Sequence, residues 1–320
     1  MSTVSVQANF WWRTLEPVVL AHVGANAPAG PQNWGELARA WEWEPLLTAA
    51  LLLTAWVYAR GVRRLWAEAG RGRGLRRWEV ASFWSGWVTV VVALASPLHP
   101  WGRVLFSAHM TQHELLMVAA APLLVLGRPI VALLFALPKP EARQLSQVAR
   151  VPWVKTSWRA LTNPLVAWAV HAVALWIWHV PQFFQATLTS NFVHDLQHVS
   201  FFGSALLFWW ALIHGGPGRR GFGVAVLYLF TTMLHTGLLG ALITLAGTQI
   251  YPAYAVGGGR WSLTPLEDQQ LGGLIMWVPA GLVYIVSALA LIAGWMRSTE
   301  AEDPAPAGTA LDASRSPEVF

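Results

Sequence analysis

Apolar residues run through this chain in long blocks, separated by short polar, Arg-rich or Pro/Gly-rich connections. A helix that crosses a bilayer needs about 20 mostly apolar residues. Seven blocks come close to or exceed that length, at 44–60, 80–97, 105–126, 164–183, 192–214, 222–246 and 271–295. They predict an all-α fold, a polytopic membrane bundle of seven transmembrane helices. A further apolar run, PIVALLFAL at 129–137, is too short to span and reads as an interfacial or re-entrant piece. Three regions follow: an external extension at 1–43, a membrane domain at 44–296 and a disordered cytoplasmic tail at 297–320, rich in Ala, Pro, Ser and acids. The extension has no basic stretch before an apolar core, so it is a poor signal peptide; Phe10, Trp11 and Trp12 could lay it on the membrane.

Composition supports the membrane reading. Only 12% of the residues are charged and 55% are hydrophobic, where a soluble domain is about 25% charged. There is no cysteine, which excludes a disulfide scaffold and a thiolate metal site. The glycines at 70–74 and 257–259 lack the Gly-Lys-Ser/Thr ending of a phosphate loop.

Charge then sets an orientation. All but four of the 21 Lys+Arg residues fall in the connections 60–78, 127–163 and 215–221 or in the tail; Arg13, Arg39, Arg103 and Arg260 lie on the other side. The positive-inside rule places the N-terminus outside and the C-terminus in the cytoplasm of a bacterial plasma membrane. The basic pI of about 10.1 therefore reports topology and contact with the lipid bilayer, and no nucleic acid is expected. Many of the 21 tryptophans sit near span ends, including Trp41, Trp43, Trp176, Trp178, Trp209, Trp210 and Trp295, as an aromatic belt would.

Ionisable groups inside spans are costly and are candidates for function. His109 and His113 occur as HMTQH, and His194 and His198 as HDLQH. Residues four apart share a helix face. Ten histidines in 320 residues would give about 0.3 such pairs by chance. At about 1.5 Å per residue, His113 lies roughly 12 Å, His198 roughly 9 Å and His179 roughly 6 Å from the external ends of their spans. Met117 continues the His113 stripe, and Asp268, Gly272 and Met276 form another at the start of the last span. The candidate metal ligands are thus His109, His113, His194, His198, His179, Met117, Asp268 and Met276. The bland alternative is that each histidine bonds singly to a neighbouring helix; His171, His235 and His214 are read that way. His99, in the loop HPWGR, either closes over the site or is an ordinary interfacial residue. Glu114 and Asp195 point about 100° away from the pairs, which suits second-sphere support or proton handling. Imidazole suits copper, zinc, iron or nickel, and thioether favours Cu(I). Histidines four apart would compete for one haem iron, so copper or zinc fits the spacing better.

The runs HMTQHELLMVAAAPLLVLGRP (109–129), HDLQHVSFFGSALLFWW (194–210) and PLEDQQLGGLIMWVPAG (265–281) resemble the CtaG family, membrane-integral assembly factors of caa(3)-type cytochrome c oxidase. The resemblance covers about residues 45–296. It implies an assembly factor that is not an enzyme, working with haem–copper oxidase subunits and binding or inserting copper, with an external copper donor as a further partner. Carried over by position, it points to His109, His113, His194, His198, Asp268, Gln269 and Met276. Two other readings stay open: an intramembrane zinc-dependent lipid hydrolase, with Glu114, Asp195 or Asp268 as acid/base, and a metal-free scaffold for oxidase assembly. Gly237 and Gly240 could serve packing within one bundle or against a partner, so the sequence sets no oligomeric state.

Overall fold

The computed structural model describes residues 34–215, 221–256 and 263–302. Phe10, Trp11 and Trp12, Arg219, Arg220, Arg260 and Arg315, and the tail from 303 onward lie outside the described residues. The described residues form helices without a strand.

A short helix α1 (Trp34–Arg39) precedes α2 (Pro45–Ala69) and α3 (Arg77–Ala95), which are joined by a turn with Gly70, Gly72 and Gly74 at positive φ. A five-residue helix α4 (Leu98–Gly102) leads into α5 (Phe106–Glu114), a π-helical turn (Leu115–Ala120) and α6 (Ala121–Leu126). Then come α7 (Pro129–Ala136), α8 (Lys139–Val148), α9 (Pro152–Leu161), α10 (Pro164–Trp178) and α11 (Pro181–Thr189). The long helices α12 (Asn191–His214), α13 (Gly221–Thr244) and α14 (Pro265–Glu302) complete the bundle.

Five helices, α2, α3, α12, α13 and α14, are each long and apolar enough to cross a membrane, and the number rises to seven if each of two bent pairs counts as one span. The two bends fall at the bounds of the third and fourth sequence blocks, 105–126 and 164–183, rather than inside them, and each has a local cause. Between α6 and α7 the axis turns by 53°. Arg128 there is left-handed (φ 49), and Pro129 has no N–H to continue the ladder. Between α9 and α10 the turn is 63°. Asn163 caps α10 by accepting from Leu165 N at 3.0 Å, and Pro164 takes the first helical position. The run 129–137 becomes α7, which folds back on α2 where Gly61 has no side chain to meet the Ala132 carbonyl.

The bundle carries apolar residues on its outside and much of its polar inventory inside. Leu46, Leu52, Leu53, Val224, Leu227, Leu234 and Leu282 are exposed, while His109, Gln112, His113, Gln197, Thr232 and Asp268 are buried. That distribution suits a lipid surround, where polar groups must find partners within the protein. One tryptophan departs from the belt: Trp209 is buried, and its indole N–H donates to Met117 O at 2.9 Å. Its side chain faces the third span rather than the outside of the bundle. Helices α13 and α14 approach backbone to backbone, since a Cβ on Gly240 would meet Gly273 O at 2.9 Å.

Candidate functional site

The two histidine pairs meet at one end of the bundle, on the first turns of α5 and α12. Local chemistry places both helices. Ser190 caps α12, accepting from Val193 N at 3.5 Å. Asp268, from the first turn of α14, caps α5 across the bundle: its carboxylate accepts from Phe106 N at 2.6 Å, from Ser107 N at 3.1 Å and from the Ser107 hydroxyl. A carboxylate at a helix N-terminus meets both unsatisfied N–H groups and the positive end of the helix dipole.

The rings form one cluster. His109 and His113 have centroids 4.3 Å apart, and His194 and His198 4.4 Å apart. Across the helices, His109 stacks on His194 at 5.3 Å and His113 stands edge-on to His198 at 5.4 Å. His99, on α4, stacks on His194 at 5.5 Å and lies 6.1 Å from His198. Of the two roles open to His99, closing over the pairs is the one the structure gives it.

Hydrogen bonding within the cluster is incomplete. Gln112 donates its amide N–H₂ to Ala93 O at 2.7 Å and faces His99 Nδ1 at 2.8 Å, while Arg103 Nη2 faces His99 Nε2 at 3.2 Å, so the neutral ring accepts from only one of these two donors. His109 lies within 3.3 Å of Gly102 O through Nδ1 and within 3.3 Å of Gln197 Oε1 through Nε2. With its proton given to Gly102, His109 meets the Gln197 oxygen lone pair to lone pair. Turning the Gln197 amide would satisfy that nitrogen, and so would a cation. His194 and His198 oppose their Nε2 atoms at 3.2 Å. Both ring nitrogens of His113, which is 1% exposed, have no hydrogen-bond partner. Among the described residues no three His, Asp or Glu side chains are set to hold a metal ion as they stand. The rings lie against one another, and ligation would need rotation about their side-chain bonds.

The other expected residues fall elsewhere. His179 is buried at the end of α10, with Nδ1 2.7 Å from Leu175 O and Nε2 without a partner. Phe184 and Phe201 are each in ring contact both with His179 and with a clustered histidine, so His179 adjoins the pairs through them. Asp268 holds backbone amides, as above. Met276 packs with Phe106, Met110, Phe184 and Tyr251. Its neighbour Gly272 is where Phe106 presses on α14, so the Asp268–Gly272–Met276 stripe is the face that seats α5. Met117 enters the core below the cluster, with Leu175, Phe201 and Trp209. Gln269 accepts from Ile250 N at 2.6 Å and orders the loop before α14. Glu114 is buried with Oε2 unpartnered, and Asp195 is exposed.

Two residues that the sequence reading did not weigh are central. Gln112 and Gln197 are both fully buried within the cluster. The signal was present: both pairs read H-x-x-Q-H, so each glutamine occupies the same position in its pair. The rim was harder to foresee. Tyr254 donates to Gly102 O at 2.8 Å and Tyr251 to His179 O at 2.9 Å, tying the loop before α14 to α4 and to the end of α10. Burial raises both phenols, and for Tyr254 the Asp268 carboxylate adds to the effect. Glu42 pairs with Arg103 at 3.2 Å and lies 3.7 Å from His99 Nε2. Burial, then the Arg103 charge and then His194 lower His99 to about 3, so its ring is neutral at physiological pH. Glu42 therefore pairs with Arg103, whose guanidinium also lies 3.2 Å from His99 Nε2.

A family model described as cytochrome c oxidase caa3 assembly factor (Caa3_CtaG) matches residues 56–298. The chain belongs to that family. The CtaG match spans all the helices from within α2 to within α14, including both H-x-x-Q-H segments. Similar curated proteins are an uncharacterized protein of Mycobacterium bovis, 27% identical over 281 residues, and one of Mycobacterium tuberculosis at the same identity and length. A third, from Mycobacterium leprae, is 25% identical over 273 residues. In each case the alignment covers 83% of this chain and 41% of the relative, so the chain spans less than half the length of the curated relatives it matches. No solved structure matches the chain. The apolar helices and the bacterial relatives identify a multi-pass bacterial membrane protein.

Proposed function

We propose that this CtaG-family member carries copper as cargo on the imidazoles of His109, His113, His194 and His198, and aids its insertion into a haem–copper oxidase. The reading puts the cluster toward the outer face, as the charge bias between connections suggests. One observation carries it: four imidazoles on two helices, with cross-helix centroids at 5.3 and 5.4 Å, and with an unmet ring lone pair on His113. Buried polar atoms almost always have partners. A buried imidazole with neither nitrogen bonded is thus a place where a cation could supply what the protein does not.

The chemistry of the donors favours copper over zinc. They are neutral, Asp268 is on backbone amides, Glu42 on Arg103 and Asp195 exposed, and Glu114, buried with Oε2 unpartnered, lies about 100° round the helix from His113. Nothing in the cluster offsets the charge of a bound ion, and burying uncompensated charge is costly. A monovalent ion suffers less than a divalent one, which favours Cu(I). Incomplete charge compensation also suits a carrier that must release its cargo. A zinc hydrolase would need an acid/base group beside the metal water, and no carboxylate touches these rings in that manner. His99, its Nδ1 facing the Gln112 amide, acts as a cover on His194.

The test compares a gene deletion with a chain in which His109, His113, His194 and His198 are all Ala. Oxidase activity and copper per oxidase are read in isolated membranes. Copper-deficient oxidase in both strains supports the proposal. Normal copper with the four-histidine variant, alongside failure on deletion, would establish the metal-free scaffold instead.

A further inference from the structure

At the opposite end of α2 from its Pro45 start, two adjoining hollows open on either side of Arg64. The larger, about 730 Å³, lies between the last turns of α2, the end of α7 and the start of α8. The smaller, about 630 Å³, runs along α2 past Trp56, Arg60 and Arg63. Their linings bring together five cations: Arg60, Arg63, Arg64, Lys139 and Arg143. The spacing is helical on both sides. Arg60, Arg63, Arg64 and Ala67 share a face of α2, and Lys139, Ala142, Arg143 and Ser146 share a face of α8.

These cations have little to do with one another or with acids. None forms an ion pair among the described residues, although Glu68 also lines the larger hollow. Arg60 donates from Nε to Ala136 O at 3.0 Å and lies over the Trp56 ring at 5.3 Å. Arg64 donates to Ala136 O at 3.1 Å and Leu137 O at 3.3 Å. The end of α7 thereby fixes two guanidinium groups and leaves other N–H groups on each free to donate. Beside the charges stand Leu134, Phe135 and Trp56, the last two on exposed apolar surface. An aqueous anion would gain nothing from such walls, whereas a lipid presents a phosphate joined to hydrocarbon.

We propose that this pair of hollows binds an anionic phospholipid, its phosphate headgroup held in the larger hollow between Arg64 of α2 and Lys139 and Arg143 of α8, with one acyl chain along Phe135 and the other past Trp56 in the adjoining hollow, where Arg60 and Arg63 add positive charge. Basic pockets between membrane helices take anionic headgroups in this way. The site is remote in sequence from the histidine pairs and stands whether or not they carry copper. A bound lipid would pin α8, none of whose residues is buried, to the bundle.

The experiment uses the full chain in detergent micelles with added phosphatidylglycerol or phosphatidylcholine, read as lipid retained per protein by native mass spectrometry. Two double variants are compared: Lys139→Gln with Arg143→Gln in the cavity, and Lys155→Gln with Arg159→Gln on α9 as a charge-matched control. The expected result is preferential retention of phosphatidylglycerol, weakened about fivefold per cavity charge removed and unchanged in the control. Equal retention of the two lipids would overturn the proposal. So would equal loss in both variants, which would mean general surface attraction. Displacement of the lipid by millimolar inorganic phosphate would assign the site to a free anion and overturn the lipid part.

Discussion

Asp268→Asn separates a helix cap from a metal ligand. The carboxylate is 1% exposed and accepts from Phe106 N, Ser107 N and the Ser107 hydroxyl. Asparagine keeps the shape but has one acceptor oxygen and turns N–H₂ toward donors on the other side. At least the bond to Phe106 N is lost, and that buried amide is left without an acceptor. A hydrogen bond to a charged group contributes about 1.5–3 kcal/mol, and an orphaned buried donor costs a similar amount. The two figures overlap, so the expected loss is about 3 kcal/mol, rather more than a hundredfold in the unfolding equilibrium. Unfolding by denaturant in mixed micelles, without metal, measures it. Ser107→Ala, which removes only the hydroxyl bond, should cost about 1 kcal/mol. If Asp268 acts as a cap, Asp268→Asn loses stability with or without copper, and copper retention falls only as the α5 end frays. Undiminished stability in copper-free protein, together with abolished copper binding, would refute it and return Asp268 to the metal.

Further outcomes follow from the same geometry. Gly273→Ala puts a Cβ 2.7 Å from Thr244 N and 2.8 Å from Gly240 O, so α13 and α14 must part at a cost of about 1–3 kcal/mol, seen as a lower aggregation temperature. Among single substitutions for alanine at the cluster, His113 should reduce copper retention most, and His194, nearer the rim, least; metal analysis of purified protein gives the ranking, and no loss at His113 would count against a shared site. Glu42→Gln removes a part-exposed pair with Arg103 and should change stability by less than about 1 kcal/mol in the same denaturant assay. His99 is depressed from 6.5 to about 3 in the fold. Between those values the unfolded chain binds the proton and the folded chain does not, so its contribution to stability is present above about 6.5 and declines as pH falls toward 3. His99→Phe should flatten that part of the stability–pH profile.

The membrane architecture was legible because lipid-facing helices need long apolar runs, and no tertiary detail alters that. The pairing of His109 with His113 and His194 with His198 was legible for the same reason, since four residues on a helix return to one face. What the sequence left open depends on where a polar group finds its partner. Asp268 beside Met276 looks like a ligand stripe on an isolated helix, yet the unsatisfied amides of α5 are what claim the carboxylate, and that requires knowing that α14 packs on α5. His179 adjoins the pairs through Phe184 and Phe201, which touch both it and the clustered histidines and which hydropathy counts merely as apolar. The bends at Arg128 and Asn163 fall at the bounds of the blocks 105–126 and 164–183, and each is marked by the proline that follows it.

The π-helical turn at Leu115–Ala120 carries a consequence for insertions and deletions. Such a turn accommodates one residue more than an α-helix does, and each residue advances an α-helix by about 100°. The histidine-bearing α5 and the core-packing α6 are therefore each in register with their own neighbours, but not with each other. Deleting one residue within Leu115–Ala120 would let the backbone close into continuous α-helix while both ends keep their faces, a change far milder than a deletion elsewhere in the span. Relatives of this chain could thus differ in length by one residue at this point and still bring the same two histidines to the same place.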